Sequence, residues 1–386
     1  MSAPNTTPQA NIPEVDEAEI LADIKEWAGI ESPSKDGIAV NRVVDVAESA
    51  METLGMEITR RPGRDGFGDC VIARSPWGGD GPGILIMAHL DTVHPHGTID
   101  EALKLEERDG YLYGPGVYDM KGGACLGVAA LRQFVRAGRE TPLPVTFLFT
   151  PDEEVGSPTS RDLIEELGQA NKYVLVLEPG RDGNKVVTAR KGCARYVIRA
   201  HGRPSHAGMR HQDGVSAILE SARQIAKIEV LTDYETGVTA NVGLWTGGSG
   251  ANVRPALAEV EVDIRLPDDA SAEATCAFMD SLSPVDPEVR LEIEGGLNRP
   301  PYPKTDAIAA LHEQAEALAL EIGMESLDDT ATGGFSDGNF TAALGIPTLD
   351  GLGVDGDGAH TEEERLLIAS IKPRTQLIMR LLETLD

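Results

Sequence analysis

His89, Asp91, Glu153, Glu154 and Glu178 can all serve as metal ligands or proton carriers, and they stand where short apolar runs end. Ile84-Leu85-Ile86-Met87-Ala88 runs directly into His89-Leu90-Asp91, Val145–Thr150 into Pro151-Asp152-Glu153-Glu154, and Tyr173–Leu177 into Glu178. Short runs that are apolar on both faces read as buried strands of a parallel sheet. In open α/β sheets, ligands bind beyond the carboxyl ends of such strands. Imidazole and carboxylate ligands suit Zn²⁺, Mn²⁺ or Co²⁺. A pair of ions roughly 3.5–4 Å apart needs a bridging carboxylate and about two further ligands each. His89, Asp119, Glu154, Glu178 and His360 supply that number, and leave Glu153 as a general base toward water. Taken singly, each is an ordinary strand-end, capping or surface residue; the coincidence at three strand ends is what points to a site.

The elements that must position these residues follow from pattern. Helices are expected over 14–28 and 38–54, and strands over 56–60, 70–75 and 84–89. A glycine-rich stretch, Tyr113-Gly114-Pro115-Gly116-Val117-Tyr118-Asp119-Met120-Lys121-Gly122-Gly123, leads into an apolar helix over 124–137. Strands at 145–150 and 173–177 flank a helix at 160–167. After Lys191 the style changes. Strand 194–200, helix 215–228, strands 240–245 and 259–265, helix 272–282 and strand 289–293 give β-α-β-β-α-β, the ferredoxin-like order. The chain then returns to αβ character, with a helix over 306–322, a glycine-rich segment over 331–339, a short strand at 347–349 and an aspartate-rich loop over 355–360. A terminal helix over 370–385 has Ser370 as its expected cap and Pro373 in its first turn. The fold class is α/β: a catalytic domain with a central, mostly parallel sheet (residues 1–191 and 301–386), interrupted by a ferredoxin-like domain (residues 192–300).

Composition sets limits. The 386 residues carry 63 acidic and 34 basic side chains, a formal charge of −29. Nucleic acid and anionic membrane both need a basic footprint, so neither is an expected partner. Cys70, Cys125, Cys193 and Cys276 are scattered, giving neither a disulfide framework nor a thiolate metal motif. The amino terminus, polar and loose over residues 1–12, lacks the pattern of a signal peptide. No apolar run approaches the roughly 18 residues of a membrane span. A cytoplasmic protein is expected.

The ordered motifs His89-Leu90-Asp91-Thr92, Gly114-Pro115-Gly116 through Asp119-Met120-Lys121-Gly122-Gly123, Asp152-Glu153-Glu154-Val155-Gly156-Ser157, Glu178-Pro179 and Ser205-His206-Ala207-Gly208, followed by a late His360, resemble the dinuclear zinc aminoacylase and carboxypeptidase family. Within it the chain is most similar to the glutamate carboxypeptidases, with acetylornithine deacetylases and succinyl-diaminopimelate desuccinylases as relatives. The resemblance spans nearly the whole chain. It implies two Zn²⁺ per subunit, Asp119 bridging them, His89 and Glu178 on one ion, and Glu154 and His360 on the other. It further implies Asp91 orienting His89, Glu153 as general base and later proton donor, and a cis peptide after Asp119. The inserted domain becomes a lid and dimerisation domain, in which His206 polarises the scissile carbonyl of a partner subunit in a homodimer.

Asn252 is a weaker candidate for the same pocket as His206. Arg265 and Arg299 are candidate clamps for a substrate carboxylate, because guanidinium forks match its geometry; the alternatives are a strand-surface charge and a hinge residue before Pro300. Gly333 and Gly334 resemble the family's glycine-rich segment, whose amides can hold the same carboxylate. Two features depart from the family pattern. His94 and His96, in the loop after Asp91, read as surface residues, and the loop before His360 is unusually rich in aspartate. The expected substrate is an N-acyl or peptidyl amino acid with a free carboxylate, glutamate or aspartate first, with deacylation and dipeptide cleavage as neighbouring chemistry. The competing class is a non-catalytic relative that binds an amino-acid derivative, and such a protein would be expected to have lost Glu153 or a ligand.

Overall fold

The computed structural model describes residues 14–386 apart from residue 184. The expectations of a loose amino terminus over residues 1–12 and of no signal-peptide pattern there fall outside the described residues. Among the described residues, two compact units are present: 14–189, 304–331 and 336–386 belong to the first, and 190–303 with 332–335 to the second. The four residues Thr332–Phe335, which the sequence groups with the last catalytic stretch, therefore belong with the second unit.

The first unit is built on a six-stranded sheet in the order Glu57–Arg61, Cys70–Arg74, Val145–Thr150, Ile84–His89, Tyr173–Val176, Thr348–Leu349. All six residues of Ile84–His89 are buried, and so are all six of Val145–Thr150. These two strands run parallel with Ile84 opposite Val145 and His89 opposite Thr150, while Tyr173–Val176 is parallel on the other side with Ile84 opposite Tyr173. That register sets His89, the Glu153-Glu154 turn and Glu178 along one rim of the sheet. Cys70–Arg74 is antiparallel both to Val145–Thr150 and to the edge strand Glu57–Arg61. Helix Lys121–Arg136 is buried over most of its length. It approaches the sheet so closely that a Cβ on Gly123 would lie 2.0 Å from the Leu177 carbonyl oxygen, and one on Gly127 2.5 Å from Leu177 Cδ1. Glycine is required there because the backbone itself is the packing surface. Phe147 and Phe149 stack at 4.2 Å beneath Trp27, completing the core on this face.

A small four-stranded sheet, Gly356–Asp357, Arg365–Leu367, Tyr111–Tyr113 and Glu106–Arg108, was not foreseen. Its strands of two or three residues are too short and too charged to show a period. The terminal helix Ile371–Thr384 is present with Ser370 at its N-cap position, as expected, but the side chain makes no capping bond: its hydroxyl accepts from Asp355 N–H (3.0 Å) and donates to the Leu367 carbonyl (2.7 Å).

The second unit holds Gly192–His201, helix Ala217–Glu229, Thr239–Gly247, Leu257–Leu266, helix Asp269–Asp280 and Arg290–Arg299. The strands form one antiparallel sheet in the order Thr239–Gly247, Leu257–Leu266, Gly192–His201, Arg290–Arg299, which is the ferredoxin-like arrangement. Alternate residues Tyr196, Ile198, Val260, Val262 and Ile264 point to a core shared with Ile228 and Met279 of the two helices. The opposite face is polar. No described helix of either unit is long and apolar enough to cross a membrane.

Candidate metal centre

All the ligands expected of the first unit meet at one point. His89 Nε2 lies 3.2 Å from Asp119 Oδ1 and 3.7 Å from Glu178 Oε1. His360 Nε2 lies 3.5 Å from the other Asp119 oxygen, Oδ2, and 3.0 Å from Glu154 Oε2. Asp119 thus presents one oxygen to each histidine. Ligand atoms of His89, Asp119 and Glu154 fall within 4.8 Å of one another, as do those of His89, Glu153 and Glu178. The Asp119–Met120 peptide is cis, as the resemblance implies.

Asp91 supports this cluster from behind. Its carboxylate is fully buried; it accepts from Ser34 Oγ (2.6 Å) and from the backbone N–H groups of Glu153 (3.1 Å) and Glu154 (3.2 Å). One carboxylate therefore fixes the turn that carries the adjacent glutamates. The His89 Nδ1 sits 3.0 Å from the Asp91 carbonyl oxygen and 3.5 Å from its carboxylate, so Nδ1 carries the proton and Nε2 is left to face Asp119. Asp152 ties down the end of the same loop: its carboxylate accepts from Thr159 N–H, Thr159 Oγ1 and Ser160 Oγ.

The electrostatics suit cations. Five carboxylates (Asp91, Asp119, Glu153, Glu154, Glu178) converge on two imidazoles, and Glu154 Oε1 is buried without a hydrogen-bond partner. Burial pushes the Glu154 carboxyl up to about 8, against the pull of His360. His360 is pushed up to about 11 by its hydrogen bonds to Asp119 and Glu154. Burial opposes protonation of His89, yet Asp119 and Asp91 hold it well above the usual histidine range. For Asp119, burial is overcome by the two histidines, which hold its carboxyl well below the usual range. Without an ion, protons occupy the positions where positive charge is needed. An orphaned carboxylate oxygen, two imidazoles and a carboxylate shared between them fit the binding of divalent metal.

One expectation about the loop after Asp91 needs correction. His94 is not a surface residue: it is 8% exposed, and its Nε2 lies 2.6 Å from Glu364. His96 is exposed and pairs with Asp36 at 2.9 Å. In the aspartate-rich loop, Asp355 is bound at 2.7 Å by the fully buried Arg374. Sequence reasoning missed Ser34 and Glu364 altogether. Ser34 carried no signal, and Glu364 closes the run Glu362-Glu363-Glu364, which reads as solvated acid.

The remaining expected residues lie in the second unit. His206 is exposed on a loop, with its Nδ1 accepting from the N–H groups of Gly208 and Met209 at 3.1 Å each. Asn252 is beside it, its carbonyl accepting from Ala207 N–H at 2.9 Å. Arg265, Arg299 and Arg195 gather over the ring of Phe335, at 4.7, 4.8 and 5.4 Å from its centroid. Arg265 is also paired with Asp263 (2.6 Å) on the same strand face, and Arg299 is fully buried. The carbonyl of Gly334 accepts from Arg190, and that of Gly333 from Arg265.

Known proteins share this organisation. The model of Peptidase family M20/M25/M40 matches residues 85–384. Carboxypeptidase G2 of Pseudomonas sp. (strain RS-16) is 27% identical over 359 residues, covering 92% of this chain and 86% of that protein. The succinyl-diaminopimelate desuccinylase of Methylorubrum populi is 28% identical over 325 residues, 78% of this chain and 82% of its own. Among solved structures, a tripeptidase from Staphylococcus aureus superposes with a TM-score of 0.78 at 21% identity, covering 96% of this chain and 98% of that one. A di-peptidase from Saccharomyces cerevisiae gives 0.69 at 16% identity, covering 95% of each. The two structural likenesses establish a shared fold, and the family match runs through every ligand motif from His89 to His360: the protein belongs to peptidase family M20/M25/M40, a family of metallopeptidases and amidohydrolases, and is an enzyme of that kind.

Proposed function

We propose that this enzyme is a dinuclear metal-dependent hydrolase that cleaves the amide bond of an N-acyl or peptidyl amino acid with a free carboxylate. The observation that carries the reading is the division of Asp119, whose two oxygens face two different histidines. Two Zn²⁺ ions, with Co²⁺ or Mn²⁺ as substitutes, would share Asp119; His89 and Glu178 would complete one site, Glu154 and His360 the other. Such ions, when bound, polarise a carbonyl oxygen and acidify water.

The chain's own groups do the rest. Glu153, buried beside Glu154, takes a proton from the attacking water and returns it to the leaving amine. Asp91 fixes the His89 tautomer and the turn that carries both glutamates. His206 is the proposed oxyanion donor, supplied by the second copy in a homodimer. Because its Nδ1 accepts two backbone N–H bonds, the ring proton sits on Nε2 and is available to the developing charge. Asn252 belongs to the same loop cluster. Arg265 and Arg299, with the amides of Gly333 and Gly334, are the proposed seat of the substrate carboxylate. A carboxypeptidase and a desuccinylase among the relatives support a substrate with that group, and carboxyl-terminal glutamate or aspartate is the first choice.

The test is amine release from a panel of N-acyl and peptidyl amino acids by the Zn²⁺-, Co²⁺- or Mn²⁺-loaded protein. Glu153→Ala should lower kcat by about 10²–10⁴-fold, the usual worth of a general base, while leaving the bound metal unchanged. Full turnover in that variant would overturn the assignment of Glu153. A wild-type protein that binds no divalent ion would overturn the metal reading.

A further inference from the structure

Glu364 ties together three loops that meet at the candidate metal centre. It lies four residues beyond His360 in the hairpin that joins Gly356–Asp357 to Arg365–Leu367, and it is 1% exposed. Its Oε1 accepts from the backbone N–H groups of Tyr118 and Asp119, both at 3.0 Å. Its Oε2 accepts from Gly116 N–H (3.1 Å) and lies 2.6 Å from His94 Nε2, while its carbonyl accepts from Gly114 N–H (3.3 Å). The carboxylate is thus saturated from two directions: the loop that carries Asp119 and the loop that follows Asp91.

His360 needs such an anchor. Its side chain is 55% exposed and its backbone is left-handed, with φ 63°. A histidine tolerates this conformation better than most residues but gains little from it. Packing does not hold an imidazole so open to solvent. The turn around it is closed only locally, by Thr361 onto the Gly358 carbonyl (2.7 Å from Oγ1, 3.0 Å from N). Beyond the pairing of Arg365–Leu367 with Tyr111–Tyr113 and the imidazole's own contacts with Asp119 and Glu154, what relates that turn to Asp119 is Glu364, since its main chain continues the hairpin and its side chain grips the Asp119 backbone.

We propose that Glu364 is a positioning residue that sets His360 against Asp119, and that His94 is its second anchor, holding the hairpin to the loop after Asp91. The inference rests on the metal reading above, because the pair it aligns is one His360–Asp119 edge of the proposed dinuclear site. It gives a buried role to two residues, His94 and Glu364, that stand outside the proposed ligand set.

The test uses the full-length chain as wild type, Glu364→Ala, Glu364→Gln and His94→Asn. Each is stripped of metal and titrated with Zn²⁺, with bound ions counted by mass spectrometry under native conditions and affinities read from competition with a chromophoric chelator. Amide hydrogen exchange is followed in the metal-free proteins over residues 114–120 and 356–364. Glu364→Ala should weaken the second ion by about 10–100-fold, the range seen when groups behind metal ligands are removed, with the first ion retained. Exchange should quicken at Gly116, Tyr118 and Asp119. Glu364→Gln keeps an amide oxygen for Tyr118 and Asp119 while turning its NH₂ toward Gly116 N–H, so it should fall between alanine and wild type. His94→Asn should show the smaller loss. If Glu364→Ala does not fold, the glutamine and His94 variants decide. Two ions bound by every folded variant with wild-type affinity, or unchanged exchange over 114–120, would overturn the inference alone. A wild type that takes up no Zn²⁺ would overturn it together with the metal reading.

Discussion

Asp91→Ala tests whether the cluster is held from behind. The carboxylate of Asp91 accepts from Ser34 Oγ, Glu153 N–H and Glu154 N–H at 2.6, 3.1 and 3.2 Å, and all of it is buried. Removing it strands three buried donors at about 1–3 kcal/mol each, less whatever a water in the vacated space recovers. Loss of one negative charge from a crowded acidic site works the other way. That relief is small, because Asp91 faces the His89 imidazole at 3.5 Å and not another carboxylate. The net expectation is a loss of about 3–5 kcal/mol in the metal-free protein. Asp91→Asn keeps the shape and one acceptor, so it should lie between wild type and alanine. In the metal-loaded protein both variants should bind the ion at His89 more weakly, by about 10–100-fold. Urea unfolding followed by circular dichroism gives the first quantity, from the midpoint at unchanged slope, and Zn²⁺ competition gives the second. An Asp91→Ala protein that unfolds at the wild-type urea concentration and binds Zn²⁺ normally would refute the reasoning.

Other perturbations test the packing and charge elsewhere in the first unit. Gly123→Ala should destabilise by about 1–3 kcal/mol or more through overpacking, because its Cβ would sit 2.0 Å from the Leu177 carbonyl oxygen; helix propensity alone predicts a gain of about 1 kcal/mol, so the sign of the shift in urea midpoint decides. Arg374→Ala should cost about 3–5 kcal/mol, since it leaves the Asp355 carboxylate facing a buried void once held at 2.7 Å; a midpoint within error of wild type would contradict this. In the metal-free protein Glu154 and His360 both bind protons more tightly folded than unfolded. Folded chains therefore hold more protons, and stability should fall as pH rises, from near the ordinary glutamate value through about 8 for Glu154, and from the ordinary histidine value upward for His360. Metal-saturated protein should show a flatter profile with release of protons on binding, and a metal-free stability that rises across that window would reverse the sign.

Much of the site was legible because metal chemistry is local in sequence. A buried strand announces itself by an unbroken apolar run, and its end by the first charged residue, so His89, Glu153-Glu154 and Glu178 could be read directly. The ferredoxin-like order was legible for the same reason, since alternation in Glu259–Arg265 marks a half-buried strand. What escaped was whatever depends on distant pairing. Glu364 serves Gly116, Tyr118 and Asp119 across some 250 positions, and nothing in Glu362-Glu363-Glu364 separates the buried acid from its exposed neighbours. His94 was misread in the same way, because its partner lies 270 positions away. Short strands such as Tyr111–Tyr113 and Arg365–Leu367 exist only through their partners in the small sheet, so no period could reveal them.

The two histidines of the centre are not equivalent, and this should show in how ions are taken up. His89 ends a fully buried strand, is 2% exposed, and has its ring fixed by the Asp91 carbonyl and carboxylate before any ion arrives. Little side-chain freedom remains for binding to remove. His360 is 55% exposed on a left-handed residue of a short hairpin, and its position depends on a carboxylate four residues away. An ion bound there must supply much of the ordering itself. The side using His89 and Glu178 should therefore fill first and the side using His360 second, with separable affinities. Stepwise Co²⁺ titration read by absorption, with His360→Ala beside wild type, checks this. The variant should keep the tighter step and lose the weaker one. Loss of the tighter step in His360→Ala would mean that the exposed histidine, and not the buried one, organises the centre.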